Sequence, residues 1–229
     1  MNNENLRQGR VWGDEELAFS NKYDEEMAVR YFEKHQQGIW RRFKTWHEAG
    51  MLRKALCLAG EPKSVLDLPC GTGRFWNVLA EDAGRMIFAA DLNSPMFQVG
   101  LPRRPATLTR RIEVFQASAF AIPRPDNFVE CVFCIRLMHH IAEREDRLRI
   151  LREFKRVSSS KIIVSLWIDG NLRARRQQRR PVRPGRRTDC YVIPRQVIEQ
   201  EFADCGLTEV GRVDLLKHYS MWATYVLRK

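Results

Sequence analysis

The sequence has no long apolar run. Its longest is about the length of one strand and Met1–Gln8 is polar, so neither a membrane span nor a leader peptide is expected. No Gly-Lys-Ser/Thr phosphate loop occurs, and no segment repeats at a fixed period. Cysteine is sparse. Of the six, only Cys131 and Cys134 make a C-x-x-C pair, inside Glu130-Cys131-Val132-Phe133-Cys134-Ile135, which reads as a strand. A separation of three on a strand puts the two side chains on opposite faces, so they are expected to share neither a metal nor a disulfide. No second pair has zinc-site spacing, and no metal is expected. The thiols fit a reduced, cytoplasmic protein. Acid is missing from one segment altogether: Asn171–Arg187 holds eight arginines and no Asp or Glu, so of the net charge of +11 only +3 belongs to the rest of the chain. Charge therefore speaks about that segment and little else.

What is present is organised around Lys63–Phe75. Val65–Leu68 reads as a buried strand, Pro69-Cys70-Gly71-Thr72-Gly73 as a tight turn, and Arg74 to about Ala83 as an amphipathic helix. Glycine at 71 and 73 permits positive φ and leaves the backbone open to a ligand. A helix starting there aims unpaired N–H groups at an anionic group above the turn. Pro69 requires an extended backbone ahead of it. Dinucleotide binding would call for a third glycine three residues after Gly73, where Trp76 stands. Its indole would hinder the close helix–strand packing that glycine serves.

The length suits one α/β unit with appendages. Residues 1–22 show no periodicity and read as a loose arm. Asp24–Leu58 is helical in pattern, with Phe32, Ile39, Phe43 and Trp46 at spacings of seven, four and three and a break near Gln37-Gly38. Phe32, Phe43 and Trp46 are expected in the core; Tyr23, Tyr31, Arg41 and Arg42 stay open. Met86–Ala90 forms a second strand ending in Asp91, eighteen residues beyond Gly73. That spacing carries an acid to the carboxyl end of the neighbouring strand, where its oxygens can accept both hydroxyls of a ribose. Ser94 then caps a helix that Pro95 opens. Ile112–Gln116, Phe128–Met138 and Ile162–Trp167 read as strands, and Glu143–Val157 as a charged helix with Leu148, Leu151 and Phe154 inside. The arginine segment is expected to be disordered, or helical only to about Arg180. Pro194–Cys205 reads as a helix ending at Gly206, followed by antiparallel strands at Leu207–Leu216 and Tyr219–Leu227.

The turn Pro69–Gly73 resembles motif I of the class I S-adenosylmethionine (SAM) methyltransferases in a bacterial, type 11/25-like form, with Pro69 where that family most often has its first glycine. Asp91-Leu92-Asn93-Ser94-Pro95-Met96 looks like the second motif. Ala117-Ser118-Ala119-Phe120-Ala121-Ile122-Pro123 looks like the third, with Ser118 at an Asp position. The strand ending in Leu137-Met138-His139-His140-Ile141 resembles a further family signature, with Glu130 in place of the usual Asp. No Asn-Pro-Pro-Tyr or Asp-Pro-Pro-Tyr box follows, so the likeness does not extend to the amino-directed adenine methyltransferases of DNA and RNA.

The resemblance covers roughly residues 60–229. It implies an α/β, Rossmann-like fold, a seven-stranded doubly wound sheet with a reversed last strand, plus N-terminal helices. Residues 1–60 would be an arm and helical lid, and 61–229 the SAM-binding domain with the arginine insert at 171–187. SAM is the implied cofactor and S-adenosylhomocysteine its product. The implied contacts are Asp67, Pro69, Gly71 and Gly73 for the sulfonium and amino-acid end, and Asp91 for the ribose. Adenine would lie between Leu92 or Met96 and Phe120, near Ser118 and the Ala119 amide, and Arg136 joins the cofactor set. His139 and His140 are the catalytic candidates. They sit just past the carboxyl end of a central strand, where such sheets hold ligands, and a histidine near neutrality can remove a proton from a hydroxyl or protonated amine. The plainer alternative, one histidine packing and the other facing solvent, stays open.

The implied activity is methyl transfer from SAM to an oxygen or nitrogen acceptor on an anionic substrate, such as a cell-envelope glycolipid, a small molecule or a protein. Arg173, Arg175, Arg176, Arg179 and Arg180 leave the carboxyl end of the fifth strand, over the expected substrate mouth. They are assigned capture of an anionic substrate or an acidic partner protein, since guanidinium forks bind phosphate bidentately. The protein would then be cytoplasmic, at the inner face of the membrane where it makes peripheral contact. Few aromatics interleave with the arginines, which gives single-stranded bases no stacking platform and makes nucleic acid the less favoured partner. Two alternatives remain: a SAM-binding regulatory protein of this fold, and an RNA methyltransferase.

Overall fold

The computed structural model describes residues 25–36, 39–178 and 190–229. The expected arm at 1–22, Tyr23, the break at Gln37-Gly38 and the arginines from Arg179 to Arg187 lie outside the described residues. Two helices, α1 (Glu25–Gln36) and α2 (Ile39–Leu58), precede the sheet. Strands β1 (Ser64–Asp67), β2 (Met86–Asp91), β3 (Ile112–Gln116), β4 (Val129–Cys134) and β5 (Ser158–Trp167) alternate with helices. The helices are α3 (Trp76–Leu79), α4 (Ser94–Gly100), α5 (Ala106–Thr109) and α6 (Arg144–Val157). After α7 (Leu172–Gln178) and α8 (Arg195–Asp204) come β6 (Thr208–Asp214) and β7 (Trp222–Arg228).

The strands form one sheet in the order β3-β2-β1-β4-β5-β7-β6. β1 to β5 pair in parallel, and β7 slots between β5 and β6, antiparallel to both. The chain starts in the middle at β1 and moves out first one way and then the other. That reversal opens a crevice beyond the carboxyl ends of β1 and β4, the usual ligand position of such sheets. Both faces are covered, which is why the inner strands read as unbroken apolar runs. One face packs Leu66, Val132, Val164 and Tyr225 against Leu148, Leu151 and Phe154 of α6 and Ile198 and Phe202 of α8. The other packs Val65, Ile87, Phe133 and Ile163 against Leu52, Ala55 and Leu56 of α2 and Trp76 and Leu79 of α3. Cys131 and Cys134 fall in different clusters, on opposite faces as their spacing requires.

Several boundaries differ from the sequence pattern. β4 ends at Cys134 rather than Met138, because Arg136 takes a positive φ of 73° that no ladder accommodates. Ser165 Oγ accepts the Arg136 N–H there at 2.9 Å. The helix after the glycine turn is a single turn, Trp76–Leu79, not 74–83: Asp82 turns back to accept the Gly84 N–H at 2.9 Å. A helix that short has little dipole, so anion binding falls to the turn's own amides. β5 starts four residues earlier than the apolar run, at Ser158. Asn93, not Ser94, occupies the cap position of α4. Phe32 is buried as expected, but Trp46 is 65% exposed. The buried face of α2 runs through Ala49, Leu52, Ala55, Leu56 and Ala59, offset from the aromatic stripe that set the expectation.

A buried ion pair ties α6 to α8. Arg147 Nε and Nη2 donate to the two carboxylate oxygens of Glu201 at 2.9 and 2.6 Å, with both residues 5% exposed or less. Arg147→Ala leaves that carboxylate buried without its cation. The expected loss is about 3–5 kcal/mol in urea unfolding.

Candidate functional site

The turn after β1 is built by hydrogen bonds from the next strand. Cys70 N–H donates to Ala90 O at 2.8 Å, and Gly73 N–H to Cys70 O at 3.0 Å. Gly71 and Gly73 have φ of 54° and 71°, and a Cβ on Gly73 would lie 2.3 Å from the buried Trp76 ring. Glycine at 73 is therefore fixed twice, by backbone region and by the indole beneath it. At the tip of β2, Asp91 Oδ2 accepts the Gly71 N–H and Oδ1 the Asn93 N–H, each at 2.9 Å. One carboxylate thus holds both the glycine turn and the entry to α4. The Leu92 amide is a third donor, and a carboxylate offers about four lone-pair sites, so acceptor capacity remains.

Above this turn lies a cavity of about 620 Å³. That is inside the range of small-molecule sites, roughly 300–1,000 Å³. Its floor is Asp67, Leu68, Pro69, Cys70, Gly71 and Thr72; one wall is Asp91, Leu92, Asn93 and Met96. Ala117 and Ala119 follow β3, and Ile135, Arg136, Leu137, His140 and Ile141 follow β4. Met27 and Tyr31 of α1 close it from above. α1 is held there by packing Ala28 and Phe32 on Met96 and Val99 of α4. Of the residues open in sequence, Tyr31 thus reaches the site; the side chains of Arg41 and Arg42 lie outside the described ones.

The electrostatics are those of buried groups. Burial pushes the Asp91 carboxyl up to about 6, against the pull of the backbone amides that donate to it. Asp67, buried beside it, is pushed well above the usual carboxylate range by burial and then by the Asp91 charge. Arg74 and Arg136 also face the cavity. Arg74 is held by Glu48 of α2 and donates to Thr45 Oγ1 at 3.0 Å, and Arg136 Nη1 lies 3.7 Å from the same Glu48 carboxylate. Two guanidiniums thus share one carboxylate on this side of the cavity, opposite the acids Asp67 and Asp91. Burial lowers the Arg74 pKa from its ordinary value. Sequence reading missed Glu48 and Arg74. Glu48 sits on a helix with no motif, and Arg74 looked like an ordinary first-turn residue.

The two histidines separate. His139 is 2% exposed, its ring stacked 5.0 Å from Trp167 and edge-on to Trp222 at 4.8 Å. Burial, with His140 and Arg136 nearby, depresses its pKa to about 2, so it is neutral and packed away from the cavity. His140 lines the cavity, with Nδ1 3.7 Å from Cys190 Sγ. The Tyr191 N–H donates to His139 O at 2.7 Å, which brings Cys190 back over the site. Cys190 carried no signal in the sequence, since only the chain's return after the arginine segment sets it there.

Of the other expected residues, Asp67, Pro69, Gly71, Asp91, Leu92, Met96, Ala119 and Arg136 come together on the cavity wall. Gly73 shapes the turn from beneath. Ser118 and Phe120 are not among the lining residues: both are buried, and Ser118 Oγ accepts the Phe120 N–H at 3.0 Å. The serine closes its own loop, as a short hydroxyl side chain does. Phe120 faces the Arg149 guanidinium at 5.0 Å instead. Glu130 sits outside the site, accepting the Lys63 N–H at 2.8 Å. Arg173, Arg175 and Arg176 are exposed on α7 and do not line the cavity; Arg179 and Arg180 lie outside the described residues.

Residues 65–161 match the family model described as a methyltransferase domain. Over 132 residues the chain is 30% identical to the ubiquinone/menaquinone biosynthesis C-methyltransferase UbiE of Yersinia pestis bv. Antiqua, a match covering 56% of this chain and 48% of that protein. The chain thus spans about half the length of the curated relatives it matches. Among solved structures it is similar to magnesium protoporphyrin IX methyltransferase (ChlM) from Synechocystis PCC 6803 with bound SAH, with a TM-score of 0.73 at 14% identity over 93% of this chain and 99% of that one. The [4+2]-cyclase SpnF also shares the architecture, with a TM-score of 0.60 at 15% identity over 77% of this chain and 81% of that one. The fold is that of the class I SAM-dependent methyltransferases.

The depressed His139 pKa makes a direct test. Its ring protons should show no titration in NMR between about pH 5 and 8, where an ordinary histidine changes charge. The unfolded chain takes up that proton below its ordinary 6.5, so stability falls as pH drops through that value, and His139→Phe should flatten the slope.

Proposed function

We propose that this chain, built on the class I methyltransferase fold, transfers a methyl group from SAM to an oxygen or nitrogen of an anionic acceptor. The observation that carries the reading is Asp91. A buried carboxylate tied to the glycine turn, with acceptor capacity to spare, faces a cavity large enough for the cofactor. The donor set fits. Asp91 suits the two ribose hydroxyls, and Leu92 and Met96 offer apolar sides to a purine. The guanidiniums of Arg74 and Arg136 suit a carboxylate, and Asp67 and the turn suit an ammonium group.

When bound, SAM supplies a methyl carbon on a sulfonium, an electrophile that needs no further activation. The chain's work is then positioning, water exclusion and proton removal. Met27 and Tyr31 cover the cavity, and Ile135, Leu137 and Ile141 keep its far wall apolar. The imidazole of His140, on the cavity wall, would take the proton that the acceptor gives up on methylation. The curated relatives are named C-methyltransferases; the oxygen or nitrogen acceptor is our reading of that imidazole. The exposed Arg173, Arg175 and Arg176 support an anionic substrate.

Labelled methyl transfer from SAM into fractionated lysate tests the activity. Label should appear in an acidic fraction, and absence of label in every fraction would refute it. His140→Ala should lower kcat by about 10²–10⁴-fold while leaving SAM affinity unchanged. Protonating Asp91 removes acceptor capacity, so SAM affinity should fall as pH drops through about 6. Asp91→Asn should bind at least about 100-fold more weakly and lose that pH dependence in calorimetry.

A further inference from the structure

Beyond β5, at the same end of the sheet as the cavity, α7 is fastened to the turn before β7. Leu172 N–H donates to His218 O at 3.0 Å and Arg173 N–H to Tyr219 O at 3.2 Å. The turn is itself closed by the Tyr219 and Ser220 N–H groups on Leu216 O. Together they present Leu172, Leu216 and Tyr219 with 50%, 48% and 45% of their surface exposed. Interspersed are the exposed cations Arg173, Arg175, Arg176 and Lys217. Among the described residues of these two segments no acid stands. Asp169 and Asp214, which flank the two segments in sequence, are engaged elsewhere, by the Arg195 N–H at 2.9 Å and by Arg212 at 2.9 Å.

We propose that this surface binds a bilayer rich in anionic lipid and docks the cavity mouth against it. The combination argues for that occupant. RNA would use the cations and one aromatic, Tyr219, and would leave the exposed Leu172 and Leu216 without a role. An acid-free run of arginine matches a continuous anionic plane better than the mixed charges of a protein surface. Leucines among cations and a tyrosine at the rim suit insertion at headgroup depth. No described helix is long and apolar enough to cross a membrane, so the contact is peripheral. For its consequence the inference rests on the methyl-transfer reading: the acceptor would be a lipid-borne, phosphate-bearing molecule presented at the membrane. Vesicle binding itself does not depend on that reading.

The test is co-sedimentation of the full chain, without SAM, with phosphatidylcholine vesicles and with vesicles in which about a quarter of the lipid is phosphatidylglycerol. The expected result is binding to the second and not the first. Replacing Arg173, Arg175 and Arg176 by Gln should weaken it by roughly a hundredfold. Leu216→Ser with Tyr219→Ser should weaken it by roughly tenfold. All these side chains are exposed, and an unchanged thermal melt by circular dichroism confirms that each variant is folded. No binding, equal binding to both vesicles, or binding that neither set of variants weakens overturns the proposal. So does binding that the serine variant leaves intact and RNA competes away, which would make the surface a general polyanion site. Vesicle binding without heat from SAM would instead refute the methyl-transfer reading and leave the membrane surface standing.

Discussion

Asp91 holds together two pieces of backbone that the sheet alone would leave loose. Through Gly71 it fixes the turn after β1, and through Asn93 it fixes the entry to α4. Those two segments are the floor and one wall of the cavity, so the cavity's shape depends on one buried carboxylate. Burying it is costly, which is why its proton affinity rises and why the amides around it matter. Burial first, and then the same charge, push Asp67 and the Cys70 thiol well above their ordinary values.

A second buried carboxylate works from the N-terminal side. Glu48 on α2 binds Arg74 at the turn and stands near Arg136 after β4, so one carboxylate links three elements around the cavity. Breaking such a linkage costs far more than forming it gains, which favours a unique arrangement of the elements over raw stability. Next to that group, with Trp222 5.0 Å from the Arg136 guanidinium, the tryptophan pair on β5 and β7 packs His139 away from the cavity and leaves His140 facing inward.

Much of this was legible in the sequence. The strands β1, β2 and β3 were readable because parallel, doubly covered strands are continuous apolar runs. The reversed β7 followed from the alternating ending Tyr219–Leu227 together with the family resemblance. Gly71, Gly73 and Asp91 were readable because short-range spacing sets their geometry, and Met96 followed from the family resemblance. What was not readable depends on contacts between distant segments. Trp46 shared its helical spacing with true core residues, and only the docking of α2 on the sheet decided which stripe faced in. Ser118 stood at the right place in its motif, yet its hydroxyl bonds its own loop. Cys190 and Glu48 reach the site through the chain's return after α7 and the packing of α2, neither of which leaves a local pattern.

The central claim is that a carboxylate at the tip of β2 and a bare glycine bend form a pocket for an adenosyl sulfonium cofactor. Calorimetric titration of the intact chain with S-adenosylhomocysteine and, separately, with a nicotinamide dinucleotide tests it most directly. The account predicts saturable heat at one equivalent with the first and none with the second. Heat from the dinucleotide and silence from S-adenosylhomocysteine would contradict it.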